Sequence, residues 1–204
     1  MKKEEFIKKI KAHGEKSHDL MEGNGGYKIK RGMAHVISGY VEDLFALFIA
    51  KNLDDMELEY YVDKVTSIRF NNDEKAKSFK PDLSIVNNDI LTHYFDLKTN
   101  MGWNRNFGDY LESKNKFIES IKDKKAWIHW EDRNQNITIS PNLNYQMVVV
   151  YGWNINQNLL KESLIKAKGF SNIEVHVLYT NIGDSSEYEI NEQAFDDIIK
   201  SVKA

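Results

Sequence analysis

The chain has 204 residues, 41% hydrophobic and 12% aromatic, enough apolar material to bury the core of one domain but not of two independent ones. It contains no cysteine, which excludes disulfides, zinc–thiolate sites and thiol catalysis. A formal charge of −3 excludes a uniformly basic surface, so any binding of nucleic acid has to rest on how the cations are distributed.

The N-terminus, Met1-Lys2-Lys3-Glu4-Glu5, opens a charged helix over residues 1–21 with a broken apolar stripe of Phe6, Ile7, Ile10, Leu20 and Met21. It lacks the apolar core of a signal segment, and no run of the chain reaches the length of a membrane span, so a cytoplasmic protein without membrane contact is expected. Gly23 to Gly32 combines glycines with Lys28, Lys30 and Arg31. It reads either as a surface loop or as a loop folding over a phosphate backbone, where Gly permits close approach and the cations supply salt-sensitive affinity. Residues 1–32 are thus a peripheral helix plus a Gly/Lys loop on a single domain spanning 1–204.

Residues 33–51 predict a helix with Ile37, Val41, Leu44 and Phe48 on one buried stripe. His35, Ser38 and Glu42 form a second, polar stripe flanked by Asp43. A glutamate in so apolar a helix calls for a partner, because unpaired carboxylates are costly to bury. His35 reads as a packing residue facing the same way. Residues 56–70 are extended and contain an edge strand, and Asn71 to Lys80 reads as a polar loop.

The stretch from Pro81 to Lys98 predicts a β-hairpin: Leu83 and Ile85 alternate, Asn87-Asn88-Asp89 turns, then Leu91, His93, Phe95 and Leu97 alternate. A three-residue turn over Asn88 to Ile90 sets Val86 opposite Thr92, Ser84 opposite Tyr94 and Asp82 opposite Asp96. Asp82, Ser84, Tyr94, Asp96 and Lys98 then share one face, and Leu83, Ile85, His93, Phe95 and Leu97 the other. Opposed Cβ atoms sit roughly 5 Å apart, so the two carboxylates invite a cation between them. Mg2+ meets that need with a few carboxylate oxygens plus waters, and the nearby lysine suits a hydrolytic site.

Asp82, thirteen intervening residues, then Asp96-Leu97-Lys98, with Pro81 before it, resembles the PD-(D/E)XK nuclease superfamily and within it a compact type II restriction endonuclease. The resemblance implies a mixed α/β fold with a central sheet flanked by helices, a restriction-endonuclease-like core. It implies that Asp82 and Asp96 bind Mg2+, with Mn2+ as a substitute, and that Lys98 assists the attacking water. In that superfamily a helix before the catalytic strands often adds a glutamate, a role that falls on Glu42, with Asp43 as the lesser candidate. The implied activity is sequence-specific hydrolysis of double-stranded DNA by a homodimer. A repair or junction nuclease of the same superfamily is the nearer alternative, and a non-catalytic binding module on the same core the more distant one. Phosphatase chemistry on small molecules is a weaker option.

Beyond Lys98 the loop Thr99 to Gly108 leaves the end of the proposed catalytic strand. There Arg105 suits phosphate or guanine, Asn104 an adenine edge, and Trp103 stacking. Residues 107–122 predict an amphipathic helix covering the hairpin's apolar face, with Lys114 and Lys116 on its polar side and Lys114 a candidate DNA contact. Residues 126–139 predict a second hairpin, read as peripheral and structural or as a DNA-reading ribbon. Gln146 to Trp153 reads as a buried central strand, and Leu159 to Ile165 as a helix ended by Gly169. Ile173 to Tyr179 reads as another strand, and Asn191 as the cap of a final helix with Phe195, Ile198, Ile199 and Val202 inward.

Overall fold

The computed structural model describes residues 1–22, 38–55, 57–71, 73–99, 106–130, 133–152, 157–181 and 187–203. The helices are α1 (Lys3–Glu22), α2 (Ser38–Leu53), α3 (Phe107–Ile121), α4 (Gln157–Ala167) and α5 (Glu192–Lys203). The strands are β1 (Leu58–Val62), β2 (Thr66–Ile68), β3 (Lys77–Phe79), β4 (Leu83–Asn87), β5 (Ile90–Lys98), β6 (Lys125–Trp130), β7 (Arg133–Tyr151), β8 (Ile173–Asn181) and β9 (Tyr188–Ile190). Among the described residues they form one mixed sheet in the order β1-β4-β5-β7-β6-β2-β3, with β8 also on β7 and β9 on β8. The expected α/β class with a mixed central sheet and flanking helices is therefore the observed one. No described helix is long and apolar enough to cross a membrane.

The β4–β5 hairpin forms, but its turn is tighter than the three residues expected. Asn88 and Asp89 alone make it, with φ of 49° and 60°, between the paired Asn87 and Ile90. Consecutive left-handed residues match the right-handed twist of the strands, and Asn and Asp tolerate that conformation best after glycine. Val86 consequently pairs with Leu91 rather than Thr92. Thr92 bulges out, donating its hydroxyl to the Ile85 carbonyl at 3.2 Å. The bulge restores by one residue what the turn removed, so Ser84 faces Tyr94 and Leu83 faces Phe95 as anticipated.

Both faces of the hairpin are buried, because helices pack on both sides of the sheet. Leu83, Ile85, Phe95 and Leu97 pack under Phe6 and Ile7 of α1, Phe45 and Phe48 of α2, and Phe195 of α5. The helix α3, expected on that apolar face, lies on the other one. Its Phe107, Leu111, Ile118 and Ile121 join Val86, Leu91, Tyr94 and Tyr145. The bulge contributes to this: it turns Leu91 to the side that already carries Val86, and together they make that end of the supposedly polar face apolar and in need of cover.

Further differences follow from the sheet. Residues 77–79, within the expected loop, form the short edge strand β3 on β2. The hairpin of β6 and β7 is not peripheral, because β7 runs on through Pro141 into the central apolar segment and pairs in parallel with both β5 and β8. Pro141 sits where the β5–β7 register slips between Leu91 and His93, a place where its missing N–H costs little. The sheet also curls. Residues 63–65 alone join β1 to β2, a reach of at most about 14 Å, whereas four intervening strands in a flat sheet would separate them by about 24 Å. The Tyr61 hydroxyl of β1 accordingly meets the Gln135 side chain of β7.

Candidate active site

Asp82 stands just ahead of β4 and Asp96 near the end of β5. The Asp82 N–H donates to the Phe95 carbonyl at 3.1 Å, which continues the hairpin ladder to the motif. Side chains of Asp82, Ser84, Tyr94, Asp96 and Lys98 therefore project to the α3 side of the sheet. The Asp82 carboxylate reaches across to β5, its Oδ2 accepting the Leu97 N–H at 2.5 Å.

Asp96 is 5% exposed and its Oδ2 is the focus of a donor cluster. It accepts from the Tyr110 hydroxyl at 2.6 Å and the Tyr145 hydroxyl at 2.7 Å, and pairs with Lys114 at 2.9 Å. Lys98 stands 4.0 Å from the same oxygen, with 31% of its side chain exposed toward solvent. Lys114, expected on the open side of α3 and offered to DNA, is thus turned inward. Its ammonium also donates to the Tyr94 hydroxyl at 3.0 Å and lies 4.9 to 5.5 Å from the ring centres of Tyr94, Tyr110 and Tyr145. Such a cage holds a cation through the ring faces as well as through the carboxylate.

These surroundings separate the two acids. Burial pushes Asp96 up, but Lys114 and Lys98 and the two tyrosine hydroxyls outweigh it and hold its carboxyl below the ordinary range. Asp82 is raised, chiefly by burial and further by the charge of Asp96, against the Leu97 N–H and Lys98. Glu42 on α2 is pushed up to about 7 by burial and by the charges of Asp82 and Asp63, with Lys80 opposing. Besides burial, Asp96 raises Asp82, and Asp82 with Asp63 raises Glu42, so this side of the site carries negative charge that a cation would relieve.

The donor set suits a hard divalent ion. Among the described residues every donor to these aspartates engages Oδ2, so Oδ1 of each carries no described partner. Mg2+ takes one or two carboxylates and keeps its waters. No group of three or more His, Asp or Glu among the described residues is placed to hold one ion. Glu42, expected to support the metal site, stands in the structure as a neighbouring acid raised by burial and by the charge of Asp82.

Asp63 and Lys80 escaped the reading of the sequence. They pair at 2.6 Å beside Asp82, whose carbonyl accepts the Asp63 N–H at 3.1 Å. Tyr145 escaped it too, since only the pairing of β7 with β5 sets it against Tyr94. A tyrosine beginning a buried strand is the only trace it leaves in the sequence. Lys28, Lys30, Arg31, His35, Trp103, Asn104 and Arg105 lie outside the described residues. No family model, curated protein or solved structure matches the chain.

Proposed function

We propose that the protein is a Mg2+-dependent DNA endonuclease. The observation that carries this reading is the register that brings Asp82 beside Asp96, with Lys98 on the same face 4.0 Å from the Asp96 carboxylate. Asp82 and Asp96 hold the ion, which when bound neutralises charge on the phosphate and lowers the pKa of water. Lys98 positions the attacking water and faces the charge that develops on the phosphoryl oxygens. Water oxygen bonds to phosphorus while the bond to the 3′ oxygen breaks, giving a 5′-phosphate and a 3′-hydroxyl. The proton lost by the water passes to solvent beside the partly exposed Lys98, and the leaving 3′ oxygen takes up a proton from solvent. The Tyr110, Tyr145 and Lys114 cluster keeps Asp96 ionised and fixed, and Glu42 supports the site from α2.

The motif resemblance favours site-specific cleavage of duplex DNA by a homodimer, one site per strand. A repair or junction nuclease with the same chemistry is the second reading, favoured by the aromatic outer face of the sheet described below. The test is incubation of plasmid and genomic DNA with Mg2+, against EDTA and Asp96→Asn controls. Discrete fragments lost in both controls support the first reading, and structure-selective cutting the second. Intact DNA with a folded protein would move the weight to a non-catalytic binding module.

A further inference from the structure

Alternate residues of β6, Ala126 and Ile128, are buried in the core at 3% and 0% exposure. Their neighbours Lys125, Trp127 and His129 therefore point to the outside of the curl. Cross-strand pairing extends that outer face: Trp127 lies beside Ser67 of β2 and Asn136 of β7, Ser67 beside Ser78 of β3, and His129 beside Asn134. Lys125 pairs with Thr138, and Arg69 follows β2 on the same side as Ser67.

The face is ordered. Ser67 Oγ bonds His129 Nε2 and Ser78 Oγ, both at 2.8 Å, which fixes the imidazole edge-on to the half-buried Trp127 at 6.4 Å. Beside them Arg69, Lys125, Trp127, Asn136 and Thr138, together with Asp89, line an open cleft of about 540 Å³. Among the described residues neither Arg69 nor Lys125 is in an ion pair, while the Asp89 carboxylate accepts from Gln135 at 3.2 Å. Charge points the same way: segments 64–80 and 122–139 carry nine Lys and Arg against five Asp and Glu, in a chain of net −3. A basic strip around a presented indole, bordered by amide and hydroxyl side chains, is what an unpaired nucleic-acid strand needs. Stacking on an aromatic ring requires a free base, and the cations track its phosphates.

We propose that this outer face binds a single-stranded nucleic-acid segment, with Trp127 stacking a base and Arg69 and Lys125 meeting phosphates. Ser78 is four residues from Asp82, within about 14 Å along the chain; the candidate active site opens to the other face of the sheet, so a strand held here has to pass round the β3 edge to reach it. That strand is a substrate strand only if the nuclease reading holds, and the substrate then carries an unpaired region.

The test is fluorescence anisotropy of a short labelled single strand, and of its duplex, with the full chain in EDTA so that nothing is cut. Plasmid cleavage in Mg2+ is read in parallel. The single strand binds the unaltered protein more tightly than the duplex does. Trp127→Ala weakens it about 5- to 100-fold and Trp127→Phe restores most of the loss. The pair Arg69→Gln and Lys125→Gln lowers the slope of log affinity against log salt by about 1.4, and decides the matter should Trp127→Ala fail to fold. Affinities and slopes unchanged in the folded variants overturn the proposal, as does a protein that binds no single strand. Binding lost in the variants, with no Mg2+-dependent cleavage by the unaltered protein, upholds the platform and rejects the nuclease.

Discussion

At the scale of single residues, Asp96 carries two duties that a pair of substitutions separates. Its charge balances Lys114, whose side chain is only 19% exposed, and its oxygen accepts two tyrosine hydroxyls. Asp96→Ala removes both the counter-ion of a largely buried ammonium and the acceptor of two hydroxyls, and is expected to cost about 3 kcal/mol in urea unfolding. Asp96→Asn retains an acceptor for the hydroxyls and should cost clearly less, while both abolish cleavage. Losses below about 1 kcal/mol in both would show that Lys114 reaches water freely and that the cage is not a structural unit. Glu42 makes a pH prediction. Its folded pKa of about 7 lies above the ordinary 4.5, so between those values the folded chain holds a proton that the unfolded chain has released. The stability this group lends is complete below about 4.5 and is lost as pH rises through about 7. Glu42→Gln removes the dependence, so its melting temperature should gain on the unaltered protein as pH climbs from 4.5 to 8 without metal. Glu42 is half exposed, and solvent screening limits the gain to about 1 kcal/mol. A difference that stays flat with pH would remove Glu42 from the acidic cluster.

Elements obey the same local chemistry, and here the sequence can be read furthest. The helix α2 ends at Leu53, and Asp54 follows in a left-handed conformation, φ 52°, donating its N–H to the Ala50 carbonyl at 3.0 Å. Glycine has no Cβ to strain there, so Asp54→Gly should stabilise by about 0.5–1 kcal/mol and Asp54→Val should do the reverse; equal melting points for the two would deny the strain. The hairpin was legible because alternation and an Asn-Asn-Asp cluster survive in any register. The Asn191 cap was legible because its Oδ1 accepts the Ala194 N–H, at 3.3 Å, a strictly local contact. The Thr92 bulge was not, since it compensates a turn one residue shorter than expected, and only the paired strand reveals the difference. Nor was β3: three exposed or half-buried residues, Lys77-Ser78-Phe79, have no periodicity, and only pairing with β2 makes them a strand. The face taken by α3 depended on Val86 joined by Leu91, and the side of Leu91 is set by that same bulge. For the candidate site, Asp82, Asp96 and Lys98 could be read from spacing within one hairpin. Tyr145, Lys114 and Asp63 could not, because each arrives from an element whose neighbour is decided by sheet order and curl.

The whole molecule holds Asp82 near Asp96 against a repulsion that the lysines beside Asp96 offset for Asp96 but not for Asp82. Apolar packing on both faces of one sheet fixes β4 and β5, and Asp82 is held near Asp96 although each disfavours the other's charge. Folding supplies the free energy that keeps the two acids together, so an ion bound between them should return stability to the entire chain. A ligand that binds only the folded state stabilises it by about 2.7 kcal/mol at one hundred times its Kd. In a chain of this size each kcal/mol moves the melting temperature by about 2–4 °C. Saturating Mg2+ or Mn2+ is therefore expected to raise the melting temperature of the unaltered protein by roughly 5–10 °C. The same ions should leave Asp82→Asn combined with Asp96→Asn almost unmoved. That double variant should melt higher than the unaltered protein in EDTA if charge repulsion dominates the site, and lower if the ion pairs to Lys114 and Lys98 do. Burial and repulsion raise Asp82 while the two lysines hold Asp96 down, so the single variants should part in sign: Asp82→Asn stabilising and Asp96→Asn destabilising without metal. Divalent ions that shift the melting of the double variant as much as that of the unaltered chain would place their binding elsewhere, and the aspartate pair would lose its role as a metal site.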